Sequence, residues 1–142
     1  MPSPLENLCG PGKPLRVEPP DAAEFDTLKR LGRERLADAG NATLALASRF
    51  DLAYNASHAL SLAALRWHGY RSSNRYIVFQ VLPHTLGLGP EVWRVLAKCH
   101  ELRNKAEYEG LLDLDERLVT DLLTACRAVA EKIDGLAPIG NP

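Results

Sequence analysis

Between Ala42 and His68 the chain carries Leu44, Leu46, Phe50, Ala53, Ala56, Leu60, Ala63, Ala64 and Trp67 without a proline, and Gly69 follows. These residues cover more of a helical surface than one narrow stripe. A helix apolar on several sides has to be surrounded, so this segment predicts the centre of a helical bundle. Its small residues, Ala53, Ala56, Ser57, Ala59, Ala63 and Ala64, let a neighbouring helix approach closely.

The other segments fit around such a centre. Asp21 precedes an apolar series, Phe25, Leu28, Leu31 and Leu36, with Glu24 placed for a capping box and Gly40 as the stop. "YIVFQVL" has the composition of a strand, but no second strand is evident and Pro83 disfavours a central one, so a short helix over 74–86, bent or ended near the proline, is expected. Pro90 opens the next helix at a position where its missing donor costs nothing. That helix runs to about Tyr108, with Val92, Val95, Leu96, Cys99, Leu102 and Ala106 toward the core and Gly110 at its end. Asp113 with Glu116 suggests a second capping box, before a last helix over 114–133 that buries Leu118, Leu122, Cys126, Val129 and Ile133.

Six of the ten prolines fall in residues 1–20, which predicts an extended arm and not an element. Leu5, Leu8, Leu15 and Val17 offer it apolar anchors. "GPGKPL" lacks the Ser or Thr after lysine and the preceding strand that a phosphate-binding loop needs. The expected organisation is a Pro/Gly-rich arm over 1–20, a single all-α domain of about five helices over 21–135, and a loose tail over 136–142. With 46% apolar and 25% charged residues and a net charge of −1, the chain is neither strongly basic nor membrane-like, although a local basic patch remains compatible. It shows no signal-peptide pattern and no apolar run of membrane length, so a cytoplasmic location is expected. Cys9, Cys99 and Cys126 have no close metal-type spacing, and the last two fall at apolar helical positions. No His and carboxylate set has metal-ligand spacing, and no Ser-His-Asp or Cys-His-Asn arrangement is visible.

Chemistry is concentrated in "HELRNKAEYEG". His100, Arg103, Asn104 and Glu107 follow helical spacing and share one face. This stretch resembles the signature of the HEPN family, small all-α domains that include prokaryotic ribonuclease toxins and defence proteins. The signature is an Arg, a polar residue that is often Asn, and a His shortly after. Arg103 and Asn104 match the first two positions. "FDLAYNASHALSLAALRWHGYRS" resembles the family's corresponding helix through Tyr54, its small residues and the closing Gly-Tyr-Arg. The resemblance spans about residues 22–134.

The resemblance implies a HEPN-like bundle that forms a homodimer, with the motifs of two subunits facing one cleft, and with no cofactor or metal. It also implies metal-independent RNA cleavage, in which the 2′-OH attacks, a base and an acid move protons, and positive charge meets the phosphorane. Arg103 suits the charge and Asn104 the positioning. The motif His is missing, however. Its slot falls on Tyr108, Glu109 and Gly110, and no His follows His100. Tyr108, whose phenol normally titrates near pH ~10, is a poor base but can donate a proton or stack on a base. His100, one turn before Arg103, is the other residue able to complete the site. Two functions therefore stay open. One is RNA binding or cleavage of the toxin–antitoxin or defence type, through Arg103, Asn104, Tyr108 and His100. The other is a non-catalytic dimeric scaffold that binds a nucleotidyltransferase or an antitoxin.

Overall fold

A computed structural model describes residues 3–109 and 114–140, without the side chains of 107–109. Among these residues are seven helices: α1 (Pro4–Asn7), α2 (Ala22–Ala39), α3 (Leu46–Trp67), α4 (Ile77–Gln80), α5 (Leu82–Thr85), α6 (Pro90–Glu109) and α7 (Glu116–Asp134). A two-stranded antiparallel ribbon joins β1 (Leu15–Val17) to β2 (Tyr70–Ser72), with Arg16 opposite Arg71. The fold is an all-α bundle with this small ribbon at one end.

α3 is the central helix, as its apolar coat requires. Phe50, Ala53, Tyr54, Ala56, Leu60, Ala63 and Ala64 are fully buried, and α2, α4, α5, α6 and α7 all pack against it. The closest approach is to α2. A Cβ on Gly32 would stand 2.5 Å from Leu60 Cγ, so only glycine allows the two helices this spacing. α3 begins at Leu46 and not near Ala42, because 41–45 form a polar turn in which Asn41 Oδ1 accepts from the Thr43 amide at 3.0 Å. Gly69, at φ +87°, reverses the chain from α3 into β2 in a left-handed conformation that suits glycine.

The helix ends differ from the expected caps in two places. Asp21 caps α2 by accepting from the Glu24 amide, but the Glu24 carboxylate does not close the box; it bonds Arg66 and Arg71 instead. α7 is capped by Asp115, whose Oδ1 accepts from the Leu118 amide at 2.7 Å. Asp113 and Gly110, expected as cap and stop, lie outside the described residues. Pro83, the second residue of α5, splits the 74–86 segment into α4 and α5, since its ring cannot donate to the preceding turn.

Residues 3–20 are not element-free. Ser3 and Glu6 form a capping box on α1, Leu5 and Leu15 are buried, and β1 pairs with β2. The segment is locked by Arg66, which is 2% exposed. Its guanidinium donates to the carbonyls of Glu18 (2.9 Å), Pro19 (2.7 Å) and Tyr70 (3.2 Å) and to the Glu24 carboxylate. Arg71 completes the clasp by bonding Glu18 at 2.5 Å and Glu24 at 2.7 Å. The chain after α7 is tied as well: Trp67 Nε1 donates to the Ala137 carbonyl at 2.8 Å, and Leu136 and Ile139 pack on the core.

Candidate anion-binding site

Tyr54 lies at the point where α3, α4 and α6 meet. It is buried without exposed surface, with Phe50, Phe79 and His100 around its ring at centroid distances of 6.1 to 6.4 Å. Helical spacing on α6 then brings His100, Arg103 and Asn104 to this ring from one side. His100 Nδ1 lies 2.8 Å from Tyr54 Oη, and His100 Nε2 lies 3.0 Å from Asn104 Nδ2. An amide nitrogen can only donate. With the Asn104 amide so assigned, Nε2 is the acceptor, and the ring proton sits on Nδ1 and is donated to Tyr54. Arg103 places its guanidinium carbon 4.8 Å from the Tyr54 ring centroid, in cation–π contact.

A second arginine reaches the same phenol. Arg75, in the turn between β2 and α4, stands with Arg103 close enough to Tyr54 for both charges to favour the phenolate. Burial outweighs them, and the phenol is pushed above its ordinary value. The two arginines also act on His58, one helical turn after Tyr54 on α3. Burial first, then the positive charges of Arg75 and Arg103 and the nearby His100, lower the His58 imidazole to about 4. It is therefore neutral at pH 7.

The sequence-based site is thus partly assembled. His100, Arg103 and Asn104 come together, but His100 and Asn104 spend their groups on each other and on Tyr54. His100 is nearly buried, with both ring nitrogens engaged, which fits an orienting role better than proton transfer. The Tyr108 side chain lies outside the described residues. Tyr54 entered the sequence argument only through a family likeness. Arg75 was missed. Its only local signal is a basic residue in a polar "RSSNR" turn, and the turn's position beside α3 is a tertiary fact.

Two kinds of chemistry find no support in this cluster. Among the described residues, no group of three or more His, Cys, Asp or Glu side chains is placed to hold a metal ion. Cys99 and Cys126 are buried, with thiols pushed up to about 12 by burial, so neither is an active nucleophile at neutral pH. Among the described residues no helix is long and apolar enough to cross a membrane. Compared with models of known protein families, with curated proteins and with solved structures, the chain finds no match.

Proposed function

We propose that this chain is a HEPN-type RNA-binding protein that holds a backbone phosphate between Arg75 and Arg103. One observation carries this reading: two guanidinium groups converge on a buried tyrosine, and among the described residues no carboxylate pairs with Arg75. A planar fork is suited to bidentate phosphate contact. The cation–π seat on Tyr54 fixes one fork, and the Tyr54–His100–Asn104 chain of hydrogen bonds fixes the tyrosine. In a homodimer with facing motifs, two such pairs would track one strand.

Binding fits this cluster better than rapid cleavage does. His58 is neutral but too weakly basic to draw a proton efficiently near pH 7, since effective acid–base groups titrate near the working pH. A bound phosphate would oppose the charges that depress it and raise its pKa, so cleavage would depend on the substrate completing its own base. The scaffold function has one observation in its favour: Asn104 turns its amide inward to His100, as a residue that holds helices together would.

The test is fluorescence anisotropy of a labelled single-stranded RNA in metal-free buffer, for the wild type and for Arg75→Ala and Arg103→Ala. Each variant should bind about tenfold more weakly and reduce the log–log salt slope by about 0.7. Unchanged affinity in both variants would leave the scaffold. Cleavage products in the same buffer, absent in Arg103→Ala, would extend binding to metal-independent ribonuclease activity.

A further inference from the structure

Next to the two arginines is a cavity of about 240 Å³, and His58 and Arg75 belong to both. Its other walls include Leu62 of α3, Arg71 of β2, and Ser73 and Asn74 of the following turn. The volume is below the roughly 300 to 1,000 Å³ of sites for drug-sized ligands, so it suits one small ring system and not a run of several.

The walls differ in what they have left to offer. Arg71 is neutralised and immobilised by Glu18 and Glu24, which keeps its guanidinium plane in place and removes it as a phosphate cation. A fixed guanidinium plane beside an aliphatic side chain is a surface on which nucleobases stack. Asn74 Oδ1 already accepts from the Ile77 amide at 2.9 Å, which leaves its two amide protons. Ser73 Oγ already donates to the Pro14 carbonyl at 3.2 Å, which leaves its lone pairs. The rim therefore offers a donor and an acceptor to the edge of a ring. His58, a wall of this pocket that the charges of Arg75 and Arg103 also reach, is neutral and can hydrogen-bond a sugar hydroxyl without adding charge.

We propose that this cavity receives the nucleoside attached to the phosphate held by Arg75 and Arg103, with its base on Arg71 and Leu62 and its ribose facing His58. The proposal rests on the phosphate-binding reading and adds to it: the site takes ribonucleotides base-first and is not a featureless backbone groove. The full chain is titrated in metal-free buffer with the four 5′-mononucleotides and, separately, with ribose 5-phosphate, followed by calorimetry and by the backbone amide signals of residues 72–75. At least one mononucleotide should bind about tenfold tighter than ribose 5-phosphate, the order that stacking a single base contributes. It should also shift those amides, and Leu62→Trp, which fills the cavity, should abolish the advantage over ribose 5-phosphate. If all four mononucleotides bind wild type no better than ribose 5-phosphate, and Arg75→Ala weakens both kinds of ligand, the pocket proposal is overturned and the phosphate reading stands. If no ligand responds to Arg75→Ala or Arg103→Ala, both fall. The wild-type comparison decides the matter even if Leu62→Trp does not fold.

Discussion

The molecule contains two arginine pairs, and they are built in opposite ways. Arg66 and Arg71 face Glu18 and Glu24, so two positive charges meet two negative ones. Arg75 and Arg103 face a tyrosine and a neutral histidine. In the first pair the charges are matched within the chain, and the result is a clasp that holds residues 3–20 on the end of α3. In the second, Arg103 stacks on the Tyr54 ring, and among the described residues no carboxylate pairs with Arg75. Arginine content alone does not tell the two pairs apart; what packs around each one does.

The largest effect that sharpens this contrast is expected at the clasp. Arg66→Met keeps the volume but strands three backbone carbonyls and leaves Glu24 with Arg71 alone, and it should cost about 3 kcal/mol in denaturant unfolding, the lower end for breaking a buried pair because both carboxylates are partly exposed. A loss below about 0.5 kcal/mol, the ordinary surface range, would mean the clasp is not structural. Tyr54→Phe tests the other side. It keeps the ring under Arg103 but leaves His100 Nδ1–H without its acceptor, at about 1–2 kcal/mol of stability. Arg75→Ala should lie within about 0.5 kcal/mol of wild type in stability, since its side chain is exposed, while losing RNA affinity. Equal stability losses at Arg66 and Arg75 would erase the distinction between the pairs.

Acid should separate the two regions as well. The folded His58 imidazole titrates at about 4 against an ordinary 6.5, so between these values the unfolded chain binds more protons and stability falls as pH drops. Glu18 is held below the ordinary carboxylate value chiefly by its hydrogen bond to Arg71. Glu24 is raised by burial but carried below it by the bonds to Arg66 and Arg71. Their contribution is complete above about 4.5 and is lost as pH falls through their folded values. Melting curves for His58→Gln should therefore be flatter than wild type from pH 6.5 to 4 and should still collapse below it. An unchanged slope in the upper window would remove His58 from the cationic cluster.

Much of the bundle was legible in the sequence because it rests on local rules. The coat of α3, the proline that opens α6, the split at Pro83 and the Asp21 cap each depend on residues a few positions apart. The ribbon was not legible. Three-residue strands carry no period of their own, and Leu15–Val17 is extended only because Tyr70–Ser72 lies beside it. Glu24 illustrates the same limit: its position predicts a cap partner, but two arginines more than forty residues away bind it more strongly than a backbone amide does. In the site, the α6 spacing correctly placed His100, Arg103 and Asn104 on one face, yet it could not tell that His100 would be consumed by Tyr54.

The sequence by itself determined the four long helices α2, α3, α6 and α7, their order and the face of α6 that carries Arg103, because helix periodicity and capping act over a few residues. Only the tertiary structure decided that Glu18 and Glu24 neutralise Arg66 and Arg71 and that Arg75 and Arg103 gather at Tyr54. That depends on which carboxylates and aromatic rings the packing of α3 against its neighbours brings within a few ångströms, and charge interactions respond to that distance and not to separation along the chain.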